Sequence, residues 1–218
     1  MPDVTLPPLA LRRSTARQGA GLRITAFGSS TTEGIGASSP RLGFVEIMHR
    51  AMQPHLPGLI LRNRGIGGNN ANDLHARLDT VIADAPDLVL LQTGSNDPLQ
   101  EVPLAHFEAL TRQDIAALRV ATGADIVLID QQYCRALDEC AAFPPFLASL
   151  HRIGAQTATP VFPRHALMRS WCNRPGMDRD RLSPDGLHMG DEGYALLGTA
   201  LAGWLLGGIA GIRAAGAV

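Results

Sequence analysis

The sequence predicts a single-domain, three-layer αβα fold in which one parallel sheet lies between two layers of helices. Short apolar segments rich in β-branched residues alternate with longer amphipathic segments, which is the rhythm of repeated strand–helix units. The strand segments are so apolar that burial on both faces, and therefore a parallel sheet, is expected. Neither internal repeats nor a low-complexity linker divide the 218 residues, so we expect one domain.

Five strands and five main helices are predicted for this doubly wound, flavodoxin-like sheet. The strands are Leu22–Phe27, Gly58–Asn63, Asp87–Gln92, Asp125–Asp130 and Thr159–Phe162. The helices are Leu42–Met52, Asn72–Ala83, Pro103–Ala121, roughly Asp138–Thr157 and a last one after Gly190. We assign residues 1–21 to an N-terminal extension and residues 22–218 to the α/β domain. Ligands of such sheets bind at the carboxyl ends of the strands, near the reversal of strand order.

The composition excludes several classes of protein. A hydrophobic content of 45% and a charged content of 18% are typical of a globular chain and not of a disordered one. The formal net charge of −1 provides no overall attraction to nucleic acid or to an anionic membrane. All 19 basic residues are arginine, so no lysine is available as a Schiff-base former, phosphate-loop cation or catalytic base.

Cysteine usage and the chain ends predict a cytoplasmic protein. Cys134, Cys140 and Cys172 are few and odd in number, which favours free thiols, with a Cys134–Cys140 disulfide as the alternative. The first 20 residues contain no apolar core of signal-peptide length, although secretion from a longer precursor is left open. The uncharged segment Tyr194–Ile212 is broken by five glycines. We therefore expect a helix packed on the sheet, with a subunit contact left open, and no membrane span.

The segment after the first predicted strand places four hydroxyl side chains between Gly28 and Gly34: Ser29, Ser30, Thr31 and Thr32. Such a loop suits a helix cap, a phosphate or flavin cradle, or a nucleophile. The phosphate-loop pattern lacks its lysine, and nothing else in the chain resembles a flavin site. A nucleophile needs a base, an orienting acid and an oxyanion hole from elsewhere in the chain.

An acid and a base for such a nucleophile occur together near the C-terminus. Asp185 and His188 are three residues apart behind a Pro-Asp-Gly turn. One short loop can present both side chains, with the carboxylate bonded to the imidazole Nδ1–H and Nε2 free to accept a serine proton. His165, after the fifth predicted strand, is the alternative base.

Four segments, in order along the chain, resemble the blocks of the SGNH (GDSL-type) hydrolase superfamily. They are Gly28-Ser29-Ser30 for the Gly-Asp-Ser block, Asn63 to Gly68 for N-x-G-x-x-G, Gly94 to Asp97 for G-x-N-D, and Asp185 with His188 for D-x-x-H. The resemblance spans Leu22 to about Leu206. Ser29 departs from it, because the family usually carries aspartate there, but that aspartate is not one of the four defining residues.

The resemblance implies a serine hydrolase of carboxylic esters that uses neither a metal ion nor a cofactor. It makes Ser30 the nucleophile, His188 the general base and Asp185 the orienting acid. The backbone amides of Ser30 and Gly68, with the side-chain amide of Asn96, would form the oxyanion hole. Gly67 is the alternative to Gly68.

Candidate substrate contacts follow the fourth and fifth predicted strands. Gln131 and Tyr133 would suit a polar or sugar-bearing alcohol at the rim of the site. Met168 and Trp171 lie in Pro163–Arg181, which we expect to be an irregular loop with apolar walls for an acyl group or a lid. The arginines of this loop make an anionic substrate the alternative to a neutral one.

We therefore expect a serine esterase for short acyl groups such as acetyl, acting on a small-molecule ester or an acylated carbohydrate. The same triad serves acyltransferases, thioesterases and lysophospholipases, so these activities are alternatives. A non-catalytic binding module with the same fold is the alternative outside the enzymes. No nucleic-acid partner is expected, and a homo-oligomer is left open.

Overall fold

A computed structural model provides the structure, which describes residues 4–17 and 20–210. Five parallel strands form one sheet in the order β2-β1-β3-β4-β5. The strands are β1 (Arg23–Gly28), β2 (Ile60–Gly65), β3 (Leu88–Gln92), β4 (Asp125–Ile129) and β5 (Val161–Phe162). The prediction of a five-stranded parallel sheet in one α/β domain is confirmed.

Helices of very different length connect the strands. They are α1 (Arg12–Arg17), α2 (Ser30–Glu33), α3 (Phe44–Met52), α4 (Ala71–Ala76), α5 (Leu78–Ala83), α6 (Asn96–Leu99), α7 (Leu104–Thr122), α8 (Arg135–Asp138), α9 (Phe143–Gln156), α10 (Arg164–Trp171), α11 (Arg179–Leu182) and α12 (Asp191–Ala210), with a 3₁₀ turn at Pro40–Leu42. The helix predicted over Asn72–Ala83 is two helices, α4 and α5, which meet at Arg77.

Helices cover both faces of the sheet, and the burial of β3 shows this most clearly. Leu88 and Leu90 belong to a hydrophobic cluster that contains residues of α3 and α12. Val89 and Leu91 belong to a second cluster with residues of α4, α5, α7 and α9. Because successive side chains of a strand point to opposite faces, the two clusters lie on the two sides of the sheet. This is the predicted three-layer arrangement.

The edge strand β2 departs from the prediction that every strand is buried on both faces. Its residues are exposed or half-buried, and Ile60 keeps 47% of its surface exposed. Arg62 and Arg64 alternate along the strand, and both bind Asp84, at 3.1 Å and 2.6 Å. Alternating charged positions are typical of a strand that is paired on one side only and faces water.

Helix α1 packs across the amino ends of the strands. The backbone N–H and the hydroxyl of Ser14 both donate to Asp125 Oδ2, each at 2.8 Å. Arg13 and Arg23 lie 3.3 Å and 3.5 Å from the buried carboxylate of Asp87. The N-terminal segment therefore closes the end of the sheet that is opposite the carboxyl ends of the strands.

Helix α12 packs along α3 at close range. A Cβ placed on Gly198 would lie only 2.8 Å from Ile47 Cβ, so this glycine lets the two helices approach each other. Among the described residues, no helix is long and apolar enough to cross a membrane. The last residues of the predicted Tyr194–Ile212 segment lie outside the described part of the chain.

The three cysteines are free. Cys134 is buried, and this burial raises the pKa of its thiol. Cys140 lies elsewhere in the same small cluster, with its Sγ 3.7 Å from the Pro98 carbonyl. The structure therefore has the free thiols that the sequence favours and not the Cys134–Cys140 disulfide.

The strand order determines where a ligand is expected. The chain passes from β1 to β2 on one side and returns to β3 on the other, so the order reverses between β1 and β3. The carboxyl ends of these two strands lead directly into the hydroxyl-rich segment and into the Gly94–Asp97 segment. Both segments therefore meet at the position where doubly wound sheets bind ligands.

Candidate active site

Ser30 is the first residue of the short helix α2, and one residue, Ser29, separates it from the end of β1. It keeps 6% of its surface exposed, whereas Thr31 and Thr32 are each 1% exposed. The backbone N–H groups in the first turn of a helix have no partner within the helix, so the Ser30 amide is oriented as a donor. Ser30 thus combines a hydroxyl with an available amide at the switch point.

Gln92, at the end of β3, holds this segment through one atom. Its Oε1 accepts hydrogen bonds from the Ser29 amide at 2.9 Å, the Ser29 hydroxyl at 3.2 Å and the Thr32 hydroxyl at 3.0 Å. Two of the four neighbouring hydroxyls therefore have a structural role.

Asp185 and His188 form the predicted hydrogen-bonded pair. His188 Nδ1 lies 2.7 Å from Asp185 Oδ2, and Asp185 Oδ1 accepts from the amides of Leu187 at 2.8 Å and His188 at 2.6 Å. Partial burial raises the pKa of Asp185, but these hydrogen bonds outweigh it and hold the pKa below its ordinary value. An ionised carboxylate only accepts, so Nδ1 carries a proton in this pair, and in the neutral imidazole the free lone pair is then on Nε2.

The segment after Ser30 lies against the loop of this pair. A Cβ on Gly36 would lie 2.5 Å from the Met189 carbonyl oxygen and 3.0 Å from His188 Cβ. The hydroxyl of the buried Tyr194 in α12 donates to the Ile35 carbonyl at 2.6 Å. The N-terminal and C-terminal parts of the predicted site are therefore joined by direct contacts.

The predicted oxyanion-hole residues lie beside each other. Asn96 Nδ2 donates to the carbonyl of Asn69 at 2.8 Å, so the Asn96 amide adjoins the Gly68-Asn69 peptide. Gly68 has φ +78°, and a Cβ on it would meet no atom within 4 Å, so its surroundings are open. A Cβ on Gly67 would lie 3.9 Å from Ser30 Cβ, which places the glycine segment next to the serine.

The neighbouring amides differ in their hydrogen bonding. The Gly67 N–H donates to Glu33 Oε2 at 2.5 Å, so that amide is engaged. Asp97, which follows Asn96, accepts from the Ala71 amide at 2.9 Å and ties the two loops together. Burial raises the pKa of Asp97 to about 6.

A sequence profile of the Non-GDSL lipase-like family matches residues 2–211. The chain belongs to this family. The predicted resemblance to SGNH hydrolases is confirmed, and this lipase-like protein is a carboxylic ester hydrolase of the SGNH type. A search of curated protein sequences gave no match.

Several solved structures are similar to this Non-GDSL lipase-like protein. A lipase/acylhydrolase from Enterococcus faecalis has a TM-score of 0.73 and 25% identity, covering 85% of this chain and 96% of that chain. Axe2, an acetylxylan esterase from Geobacillus stearothermophilus, has a TM-score of 0.74 and 23% identity, covering 87% and 96%. A two-domain esterase (CEX) active on acetylated mannans has a TM-score of 0.75 and 21% identity, covering 94% of this chain and 54% of that chain. The last two likenesses show the fold alone.

Three of the four predicted substrate contacts are buried. Gln131 is 0% exposed and donates to the Thr93 carbonyl at 3.3 Å. Met168 and Trp171 belong to the hydrophobic core and are only 0% and 4% exposed. They lie on the inner face of α10, a helix in the segment where we expected an irregular loop. Their spacing of three residues is that of one helix face. Of these four residues of the lipase-like protein, Tyr133 is half-buried and is the one that keeps surface for a ligand.

The arginines of the Pro163–Arg181 segment are largely engaged. Arg164 is fully buried, donates to the Asp130 carbonyl at 2.7 Å, and has its pKa lowered by burial to about 10. Arg179 binds Asp138 at 2.5 Å, and Arg181 binds Glu192 at 2.6 Å. These pairings weaken the alternative of an anionic substrate.

His165 is a poor alternative base in this family member. Its ring lies 5.5 Å from the ring centroid of Tyr133 and 5.8 Å from that of Phe143. Burial lowers the pKa of His165, and the carboxylate of Asp130 binds the His151 ring at 2.8 Å instead. His165 therefore lacks the oriented carboxylate that His188 has.

Sequence reasoning missed three residues that hold the site: Gln92, Glu33 and Arg77, whose guanidinium donates to the Gly28 carbonyl at 2.7 Å. Each acts on backbone groups or on residues far along the chain. Gln92 could have been suspected, because a polar side chain at the end of an apolar strand needs a buried partner. The other two give no pattern in the sequence.

Proposed function

We propose that the chain hydrolyses esters through an acyl-Ser30 intermediate. The Asp185–His188 hydrogen bond is the observation that supports this mechanism most directly. It sets the imidazole tautomer that leaves Nε2 free as a general base. A serine at the switch point of the sheet, joined to this loop by the Gly36 and Tyr194 contacts, supplies the nucleophile.

In the first half-reaction His188 Nε2 takes the proton of Ser30 as Oγ attacks the ester carbonyl carbon. The Asp185 carboxylate stabilises the imidazolium that forms. The carbonyl oxygen becomes an oxyanion and receives hydrogen bonds from the Ser30 and Gly68 amides and from Asn96 Nδ2. Such preorganised donors are typically worth about 10²-fold to 10³-fold each in turnover.

The first half-reaction ends when the alcohol leaves with the proton from His188. In the second half-reaction water takes the place of the alcohol. His188 accepts a proton from this water as its oxygen attacks the acyl-enzyme carbonyl. The tetrahedral intermediate then collapses, releases the carboxylic acid and returns the proton to Ser30 Oγ.

We propose Gly68, and not Gly67, as the backbone donor of the oxyanion hole. The Gly67 amide already donates to Glu33. Gly68 lies in open space with φ +78°, a conformation that favours glycine. The Asn96 bond to the next residue, Asn69, keeps the two proposed donors adjacent.

For the substrate we propose a neutral ester with a short acyl group such as acetyl, carried by a small molecule or a carbohydrate. Ile35 and Ile66 flank the serine and glycine segments with 40% and 50% of their surface exposed. The exposed Glu33 carboxylate beside them disfavours an anionic acyl group. Axe2 and CEX, which share the fold, are described as esterases of acetylated polysaccharides.

Turnover of p-nitrophenyl esters of increasing chain length tests the proposal, with Ser30→Ala as the control. We expect the highest kcat/KM with the acetyl ester and loss of activity in the variant. A fluorophosphonate should label Ser30 covalently in the wild type. No turnover of any ester together with no labelling would contradict the proposal and favour a binding module.

Competing alcohols distinguish hydrolysis from acyl transfer. We expect the free acid to be the main product when methanol or a sugar competes with water for the acyl-enzyme. A dominant transfer product would identify an acyltransferase that uses the same residues.

A further inference from the structure

Arg77, at the junction of α4 and α5, joins three segments of the site. Its guanidinium donates from Nη2 to the Gly28 carbonyl, from Nη1 to the Arg64 carbonyl and from Nε to Asn69 Oδ1, each at 2.7 Å. Gly28 ends β1, Arg64 lies near the end of β2, and Asn69 belongs to the glycine segment. One planar group thus fixes the separation of all three.

The surroundings of Arg77 hold the guanidinium plane in place. Its Cζ lies 4.4 Å from the ring centroid of Phe27, a fully buried residue of β1. Among the described residues it has no carboxylate partner within 4 Å, and its three acceptors are uncharged oxygens. A guanidinium whose three hydrogen bonds all go to uncharged oxygens is suited to fixing geometry and not to charge pairing.

The contacts of Arg77 extend to both sides of the proposed reaction centre. Gly28 stands two residues before Ser30 in the chain. Asn69 directly follows Gly68, and its carbonyl accepts the hydrogen bond of Asn96. Arg77 is therefore bonded on one side to the strand that carries the nucleophile and on the other to the loop that carries the oxyanion donors.

We infer that Arg77 is a positioning residue that sets the distance between Ser30 and the oxyanion hole. The inference rests on the proposed acyl-serine function. The attack on the carbonyl and the stabilisation of the oxyanion need both loops in register at once. Arg77 itself touches neither the substrate nor the reacting atoms.

Arg77→Met keeps an unbranched apolar stem and removes the guanidinium with its three donating N–H groups. We expect kcat for p-nitrophenyl acetate to fall about 10²-fold with KM changed less than threefold, because misplacement by about 1 Å has such a cost. The fluorophosphonate labelling rate should fall in parallel. The pH at which kcat/KM is half-maximal should not move, since Arg77 does not contact Asp185 or His188.

Arg119 provides a matched control. It is also half-buried and donates to the Thr157 carbonyl at 2.7 Å, the Ala158 carbonyl at 3.3 Å and the Thr159 hydroxyl at 2.9 Å. These acceptors precede β5, at the end of the sheet away from the site. Arg119→Met should lose comparable thermal stability and keep its kcat.

Three further variants separate the effect of geometry from the effects of charge and of folding. Arg77→Lys keeps the charge, but a single ammonium cannot hold three acceptors, so we expect little recovery of kcat. Methylguanidinium should restore part of the kcat of Arg77→Ala, whereas methylammonium should not. Asn69→Ala removes one of the three acceptors and should cause a smaller fall in kcat, which tests the inference even if the Arg77 variants do not fold.

The inference is overturned if Arg77→Met and Asn69→Ala retain kcat within threefold of an active wild type. It is also overturned if Arg119→Met loses as much kcat as Arg77→Met. An inactive wild type whose Ser30 is not labelled would instead overturn the proposed function, which is a distinguishable result.

Discussion

Ser29 occupies the position where GDSL-type hydrolases usually carry aspartate, and its contacts explain how the loop is held without a carboxylate. Both its amide and its hydroxyl donate to Gln92 Oε1. A neutral acceptor from β3 therefore takes the two donors of this residue inside the protein. Since hydrogen-bonded buried polar groups stabilise a unique local structure, the loop keeps Ser30 in place despite the substitution.

The Asp185–His188 pair makes a specific prediction for Asp185→Asn. The new Oδ1 can still accept from the Leu187 and His188 amides, but the new Nδ2 must donate to the ring. The imidazole then carries its proton on Nε2. Protonated Nε2 has no free lone pair, so it cannot accept the proton of Ser30. We expect kcat to fall about 10³-fold to 10⁴-fold with little loss of stability.

Asp79→Asn, on the exposed first turn of α5, is the matched control for this change and should leave kcat unchanged. Steady-state kinetics with p-nitrophenyl acetate measures both variants. If Asp185→Asn loses less than tenfold in kcat, the carboxylate does not orient the base.

The buried Asp97 predicts a pH dependence of stability. Its pKa is about 6 in the folded state against an ordinary 3.8, so between these values the folded state binds more protons than the unfolded state. The contribution of this group to stability therefore falls as pH rises from about 4 to about 6. Asparagine does not titrate, so Asp97→Asn removes this pH-dependent loss of stability. We expect the free energy of unfolding of the variant, compared with that of the wild type, to be greater at pH 7 than at pH 4.

Urea unfolding at the two pH values tests this prediction, with Asp191→Asn as the control. Hydrogen bonds from Ser38 lower the pKa of Asp191, the direction opposite to that of Asp97, so we expect its effect to be nearly equal at both pH values. An effect of Asp97→Asn that is independent of pH would contradict the raised pKa.

For individual side chains, the sequence predicted chemistry better than burial. Asp185, His188 and Asn96 were predicted from short motifs, and local geometry brings the first two together. Met168 and Trp171 were misassigned because an apolar residue in an arginine-rich segment looks the same whether it lines a site or faces the core. Only the helical conformation of α10 decides between the two.

At the scale of elements, the packing of α12 on α3 predicts opposite effects for two glycines of one helix. A Cβ on Gly198 would lie 2.8 Å from Ile47 Cβ and 2.9 Å from the Phe44 carbonyl oxygen. Gly198→Ala must push the helices apart, and we expect a loss of about 1–3 kcal/mol in the free energy of unfolding.

Gly203 is the internal control, because a Cβ there would meet no atom within 4 Å. Gly203→Ala should raise the free energy of unfolding by about 0.5–1 kcal/mol through helix propensity alone. Denaturant unfolding compares the two variants. Equal effects at both positions would show that the close contact does not restrict Gly198.

The elements themselves were predicted well where the periodicity was strong. The strands, α3 and α7 were predicted to within two residues of their observed bounds. The helix predicted over roughly Asp138–Thr157 begins only at Phe143, because α8 ends at Asp138 and a turn separates the two helices. The break between α4 and α5 at Arg77 was missed, because an arginine is a good helix former and gives no local signal of a helix end. Its side chain is drawn to three acceptors in the folded protein, and tertiary contacts override the local preference.

At the scale of the whole molecule, the N-terminal segment should contribute to stability and not to catalysis. Leu11 is 2% exposed, Ser14 binds Asp125, and Trp204 Nε1 donates to the Pro7 carbonyl at 2.7 Å. We expect a chain that begins at Leu22 to lose about 3 kcal/mol or more in the free energy of unfolding. Its kcat at low temperature should be retained, because α1 lies at the other end of the sheet.

Arg12→Ala in the full chain is the control, since this residue of α1 is exposed and should change stability by less than about 0.5 kcal/mol. Thermal and urea unfolding measure both proteins. A shortened chain as stable as the full one would mean that the packing of α1 contributes nothing.

The overall architecture was predictable because it depends on patterns that repeat along the whole chain. The contacts that hold the site were less so. Many of the acceptors of Arg77 and Tyr194 are backbone carbonyls, which every sequence contains. No pattern of residue types can reveal which carbonyl a side chain will reach after folding.

The contact of Tyr194 with the Ile35 carbonyl has a consequence for how the protein gains and loses activity. The base stands immediately before the last helix, and the nucleophile stands after the first strand. Neither can function until α12 has docked on the segment that follows Ser30. Catalysis should therefore appear late during refolding and should be lost early when the C-terminal helix detaches, while most of the secondary structure is still present.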